Sequence, residues 1–185
     1  EHPMLSYRES VCYCMHVRGF TMHASSKVTH RGTFAGIAEK LDYLQEIGIT
    51  TVELQPVYEF DETPEEVNTK TSADIAATAG ENGGELPGYR VLNYWGYREG
   101  FYYAPKAAYA AGEAAALEFR QLVKEFHKRR MEVILQFYFP KGMDVTEIGN
   151  ILRFWVLTYH VDGFHLMGEV PAQALAGDPA LTDTK

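Results

Sequence analysis

Short, nearly continuous apolar runs alternate along this chain with longer stretches in which apolar residues recur at every third or fourth position. The first kind occupies Val11-Cys12-Tyr13-Cys14-Met15-His16-Val17, Thr50-Thr51-Val52-Glu53-Leu54, Met131 through Phe139, and Val161 through Met167. Such β-prone runs suit strands buried on both faces of a parallel sheet. The second kind predicts helices. Phe34, Ile37, Leu41 and Leu44 form one stripe behind an N-cap at Thr33, with Gly48 as its stop. Phe119, Leu122, Val123 and Phe126 form another within residues 113–130. Val145, Ile148, Leu152, Trp155 and Tyr159 form a third, entered through a capping-box-like Asp144 and Glu147.

Strands and helices therefore alternate, beginning and ending on a strand, with spacings that suit right-handed parallel crossovers. The fold class is α/β. Residues 18–31 read as a polar loop, and Gly168 to Lys185 as a weak helix and a turn at Asp178-Pro179. The span 55–98 is too long for an ordinary connection and is expected to be a functional loop excursion. Glu59 to Glu66 is acidic, Ala76 to Gly88 is rich in Ala and Gly, and the span closes on the aromatic Asn93-Tyr94-Trp95-Gly96-Tyr97.

With 185 residues, 46% of them hydrophobic, the chain suffices for one domain, 1–185, with a real core. A net charge of −8 and no basic run longer than Lys128-Arg129-Arg130 argue against nucleic acid as a partner. No apolar run approaches the roughly 20 residues that span a bilayer. Cys12 and Cys14 share one face of a strand in a geometry poor for a bridge, and read as buried thiols of a reducing, cytoplasmic setting. The chain starts at Glu1 without Met and reads as a piece of something longer. The histidines show no metal-ligand spacing and no phosphate-binding loop is present, so neither metal nor cofactor is expected.

Four stretches then carry a resemblance: His16-Val17-Arg18-Gly19-Phe20-Thr21, Gly32-Thr33-Phe34-Ala35-Gly36, Val52-Glu53-Leu54-Gln55-Pro56-Val57 and Asn93-Tyr94-Trp95-Gly96-Tyr97. In this order they resemble the alpha-amylase superfamily, glycoside hydrolase family 13, and within it the debranching, isoamylase and pullulanase branch. The resemblance implies a (β/α)8 barrel with its site at the carboxyl ends of the strands. It also implies retaining cleavage of α-glucans by two carboxyl groups. Four strand–helix units, the amino-terminal half of that barrel, are present.

The expected chemistry is missing from that half. Where the family's third strand ends Asp-x-x-x-Asn-His, this chain reads Gln136-Phe137-Tyr138-Phe139-Pro140-Lys141, and Phe139 and Pro140 offer no side-chain oxygen for the calcium of some members. Where the fourth strand reads Gly-Phe-Arg-x-Asp, it reads Gly163-Phe164-His165-Leu166-Met167. A thioether at Met167 cannot replace the nucleophilic carboxylate. Glu169 would share the face of Met167 if the strand continued, roughly 6.5 Å further on.

No catalytic residue is therefore assigned. Trp95 and Tyr97 suit a stacking platform for a sugar or a cluster anchoring a long loop; Gln136 suits a sugar hydroxyl or a partner inside the barrel. His165, in place of the family's Arg, reads as a satisfied buried histidine or a base, and His16 and Arg18 as structural. Three readings stay open: a degenerate α-glucan-binding half barrel, part of an active debranching hydrolase, and a module that pairs with a second half barrel.

Overall fold

The computed structural model describes residues 2–63, 92–112 and 114–185. Four strands, β1 (Cys12–Met15), β2 (Thr51–Leu54), β5 (Glu132–Phe139) and β6 (Gly163–Gly168), form one sheet in the order β1-β2-β5-β6. Every pairing within it is parallel, with Met15 opposite Leu54, Leu54 opposite Leu135 and Tyr138 opposite Met167. This is the α/β arrangement that the apolar periodicity predicts.

The helices are α1 (Val17–Met22), α2 (Phe34–Ala38), α3 (Leu41–Glu46), α4 (Ala115–Lys128), α5 (Val145–Tyr159) and α6 (Ala172–Leu175). Three of their boundaries are written locally. The Thr33 hydroxyl accepts the Gly36 N–H and the Asp144 carboxylate accepts that of Glu147, closing the starts of α2 and α5. Gly48, at φ +81, provides the left-handed turn after α3.

Two expectations fail nearby. Val17 opens a helix rather than closing the first strand, because the His16 imidazole accepts the Gly19 N–H and caps α1; the polar stretch after it thus begins as helix. The stripe from Phe34 to Leu44 is two helices. Lys40 N–H bonds back to the Ile37 carbonyl, and Glu39 leaves the helix face to accept the Thr29 and His30 N–H groups.

Period-two alternation divides the sheet into two unlike faces. On one, Val52, Leu54, Val133, Leu135, Phe137 and Phe139 are buried beneath the helices. Phe119, Phe126, Ile148, Leu152 and Trp155 fill the layer above them; Trp155 lies 5.5 Å from Phe137 edge-to-face and donates its indole N–H to the Tyr102 carbonyl at 2.7 Å. On the other face stand Cys12, Cys14, Glu53, Gln136, His165 and Met167. Cys12 and Cys14 are exposed, correcting the expectation of buried thiols: the helices cover only the face they do not share.

The flanks of the span 55–98 are not loop. β3 (Tyr58–Glu59) pairs antiparallel with β4 (Phe101–Pro105), held by a buried Tyr58 whose hydroxyl donates to the Gly96 and Arg98 carbonyls. The Lys106 ammonium, 3% exposed, donates to Glu59 and to the Phe60 carbonyl, so the start of the acidic run is pinned. Most of the excursion, residues 64–91, lies outside the described residues. Among those described, no helix is long and apolar enough to cross a membrane.

Candidate functional site

The open face of the sheet carries a polar cluster that begins at Glu53. A carboxylate in the apolar run Thr51 to Leu54 occupies the side of β2 turned away from the helices. From β5, the next strand, Gln136 donates its amide to Glu53 Oε1 and sets Nε2 3.5 Å from Cys14 Sγ. From β6, one strand further, His165 Nδ1 reaches the same Oε1 at 2.6 Å. Cys12 Sγ approaches Oε2 at 3.7 Å. Above them Tyr97 donates its hydroxyl to Gln136 Oε1 at 2.5 Å.

Each donor has a determinate role. The two oxygens of Glu53 collect donors from three strands, and burial, which would raise its carboxyl, is outweighed by the bonds from Gln136 and His165 and by the imidazole's charge. The group is thereby held below the ordinary carboxylate range. Because Gln136 Nε2 serves Glu53, its Oε1 is free to accept Tyr97, which fixes the amide's orientation. Burial and nearby Cys14 raise the Tyr97 phenol, so its proton stays available for that bond.

Tyr97, Gln136 and His165, three of the four residues singled out from the sequence, are thus brought together. Trp95 is not. It is 52% exposed on the rim, edge-on to Tyr94 at 5.1 Å and to His16 at 5.6 Å. His16 is buried, stacks on Tyr94 at 4.3 Å, and bonds its Nε2 to the Tyr94 carbonyl at 2.9 Å. Arg18 pairs with Glu62 at 2.9 Å. His16 holds the aromatic segment against the end of β1, and Arg18 ties α1 to the residues that follow Phe60.

Met167 stands two positions beyond His165, half-buried on the same face. Glu169 does not continue that face. The strand ends at Gly168, whose φ of +95 turns the chain where it crosses the Phe139 backbone, and Glu169 is exposed and paired with Lys141 at 3.2 Å. The residue that sequence reasoning missed is Glu53. Its signal was a lone charge at an inward position of an otherwise apolar strand, on the parity of Thr51.

For a metal, the described residues that bring three donors within reach are His2, His127 and Asp162. They lie at the amino-terminal ends of β5 and β6, away from this cluster.

Residues 19–140, well over half of the chain, match the family model described as alpha amylase, catalytic domain. Isoamylase 1, chloroplastic, from Arabidopsis thaliana is 38% identical over 159 residues, covering 83% of this chain and 18% of the relative. The glycogen operon protein GlgX homolog of Mycobacterium tuberculosis is 33% identical over 159 residues, with 82% and 19% covered. The chain thus spans about a fifth of the length of these curated relatives. Among solved structures, the catalytic module of the pneumococcal glycogen-degrading virulence factor SpuA superposes with a TM-score of 0.69 at 24% identity, over 97% of this chain and 31% of that one. A pullulanase from Paenibacillus barengoltzii, in complex with maltohexaose and alpha-cyclodextrin, gives 0.59 at 23% identity, over 90% and 31%.

Proposed function

This chain belongs to the alpha-amylase family, on its debranching side, and on that premise we propose that it is the first half of an α-glucan-binding barrel whose Met167 position no longer supports hydrolysis. The observation that carries the reading is the open face itself. Tyr97, Gln136, Glu53 and His165 form a connected polar layer there, and Met167, where the family places its nucleophilic Asp, brings no carboxylate to the end of the layer. Residues 1–185 are then a partial catalytic-domain-like unit, with 55–98 as its long excursion.

The substrate class comes from the relatives, whose names are those of isoamylases, a glycogen operon protein and a glycogen debranching enzyme. Trp95, exposed and braced by His16 and Tyr94, offers a face on which a sugar ring can stack. Tyr97, Gln136 and His165 supply hydrogen-bonding groups below it. Retaining cleavage needs two carboxyl groups about 5–5.5 Å apart at the scissile bond. Glu53 is occupied by three neighbours, and Glu169 faces Lys141.

A specific observation favours a further reading, in which a second half barrel completes the sheet. The Lys185 N–H donates to the Asp162 carbonyl, and its own carbonyl accepts the Phe164 N–H, both at 2.9 Å. This is the pattern of a parallel bridge opposite Gly163, so the outer edge of β6 already accepts a fifth parallel segment. Pairing of that kind also covers an edge that would otherwise expose unsatisfied backbone groups.

Two assays on the longest natural reading frame test the proposal. Titration with maltohexaose should give saturable binding that Trp95→Ala weakens; absence of binding removes the glucan reading. Incubation with glycogen or pullulan should release no reducing sugar. Release that Glu53→Gln or Glu169→Gln abolishes would establish an active debranching hydrolase with a relocated carboxylate instead.

A further inference from the structure

At the amino-terminal ends of β5 and β6 a buried carboxylate faces two imidazoles from distant parts of the chain, His2 and His127. Asp162 is 5% exposed. Its Oδ1 lies 2.8 Å from His2 Nδ1, and its Oδ2 lies 2.8 Å from His127 Nε2. Oδ2 also accepts the Val133 backbone N–H at 2.8 Å. The three donor atoms lie within 4.8 Å of one another, and a third imidazole, His160, has its ring centre 5.9 Å from that of His2. No spacing in the sequence announces this group, because residues 2, 127 and 162 meet only through the fold.

We propose that His2 Nδ1, His127 Nε2 and Asp162 Oδ1 form a binding site for a divalent transition metal of the zinc type, with the His160 imidazole beside His2 as a candidate for a fourth position. Donor chemistry selects the class of ion. Two imidazole nitrogens and one carboxylate oxygen suit zinc, nickel or copper, whereas calcium and magnesium require oxygen ligands throughout.

The geometry is close to what such an ion needs. Bonds of about 2.0–2.2 Å in a tetrahedron set donor atoms roughly 3.3 Å apart, so a spread of up to 4.8 Å must close by at most about 1.5 Å. His2 can make that movement. Its side chain is 37% exposed, against 10% for His127 and 4% for Asp162. The carboxylate is already oriented from behind, since Val133 holds Oδ2 and leaves Oδ1 as the oxygen turned to an incoming ion, the arrangement by which outer-shell bonds fix metal ligands.

Proton accounting is simple. Each imidazole facing Asp162 now donates an N–H to it; on metal binding a neutral ring carries its proton on the other nitrogen, and a protonated ring releases one to solvent. Affinity therefore falls in acid. An ion here would clamp residue 2 to the end of α4 and to the turn before β6, and would stabilise the fold by mass action. The site lies at the end of the sheet opposite to the one where barrel enzymes place their chemistry, so its expected consequence is stability and not turnover.

The test is calorimetric titration of the full chain with zinc chloride, with thermal unfolding in zinc and in chelator, and cobalt as a spectroscopic substitute. Expected are one ion per chain, a melting temperature raised by zinc, and cobalt bands in the visible without sulphur-to-metal absorption. His2→Gln, which removes a side chain whose hydrogen bond among the described residues is to Asp162, and His127→Gln should each weaken binding by about a hundredfold. A Cys12→Ser/Cys14→Ser double variant should bind as the wild type does. The proposal is overturned by failure to saturate, by equal affinity in the wild type and His2→Gln, or by loss of binding in the double variant.

Discussion

His165 Nδ1 lies 2.6 Å from Glu53 Oε1, although 112 positions separate the two residues along the chain. They sit on β6 and β2 with β5 between them, so the pair crosses roughly 9–10 Å of sheet and meets above Gln136. Burial opposes the charge on Glu53, and the bonds from Gln136 and His165 more than offset it, leaving the carboxyl below its ordinary value. A native carboxyl that resists protonation binds fewer protons in acid than the unfolded chain does. Its stabilisation is therefore present above the ordinary carboxylate range and is lost as pH falls through the lowered native value. Glu53→Gln is expected to cost about 0.5–1 kcal/mol at neutral pH, allowing for solvent screening of a part-exposed group, and less in acid. Urea unfolding at the two pH values checks this; a pH-independent cost would show that the charge does not matter.

Cys12 shares the same carboxylate and should react slowly despite its exposure. Partial burial, and then the charge of Glu53 3.7 Å away, push its thiol up to about 11. The thiolate fraction at neutral pH drops about a hundredfold relative to a free cysteine, and the greater nucleophilicity of a more basic thiolate recovers about tenfold of it. Iodoacetamide should thus label Cys12 roughly tenfold more slowly than free cysteine, with the rate rising toward alkaline pH, and Glu53→Gln should accelerate it. Peptide mass mapping over time reads both sites; labelling at the free-cysteine rate would contradict the account.

What the sequence disclosed follows from the range of the forces involved. The parallel sheet and helices α4 and α5 were legible because Val133 to Phe139, and the stripe from Ile148 to Tyr159, encode burial by period alone. The caps at Thr33 and Asp144 were legible because they act within three residues. The α1 cap was not, since a histidine accepting the Gly19 N–H is chemically ordinary but absent from the usual cap residues. Nor was the pairing of Tyr58 with Pro105, whose partners flank a span of uninformative composition. In the site, Tyr97, Gln136 and His165 were singled out through family resemblance, yet the residue joining two of them, Glu53, was passed over as one more position in a strand. Exposure of Cys12 and Cys14 was misjudged for a related reason: composition marks a residue as core-like without saying which face is covered.

His16 makes a second pH-dependent contribution, of the same sign but in a different range. Its Nδ1 accepts the Gly19 N–H at 3.0 Å, so the neutral ring carries its proton on Nε2 and donates to the Tyr94 carbonyl at 2.9 Å. Protonating Nδ1 would remove the cap of α1. Burial, reinforced by the nearby Arg18 charge and only partly opposed by the Tyr94 carbonyl, holds the imidazole below its ordinary value of 6.5. The unfolded chain then binds the proton more readily, and stability falls as pH drops from about 6.5 toward the lowered native value. His16→Ala should cost about 2 kcal/mol at pH 7.5 through the lost cap and the stranded carbonyl. The difference from wild type should narrow by pH 5 in thermal melts, and a constant difference would assign the cost to packing.

Gly163 controls the outer edge of the sheet. A Cβ at this position would lie 2.6 Å from the Lys185 carbonyl oxygen, which accepts the Phe164 N–H, while the Lys185 ammonium reaches Glu132 at 2.5 Å and Ser10 at 2.8 Å. Alanine must therefore push the Lys185 backbone away from β6, opening two backbone hydrogen bonds worth about 1 kcal/mol each. The expected result for Gly163→Ala is a stability loss of up to about 2 kcal/mol. Amide exchange should be faster at Phe164 and Lys185 and unchanged at Leu135 and Phe137, in the interior of β5. If Phe164 and Lys185 stay protected, the ammonium contacts and not the backbone bridge hold the segment there. If protection is lost only at those two, the edge of β6 is a pairing surface that requires glycine, and a further parallel strand would meet the same steric condition on docking against it.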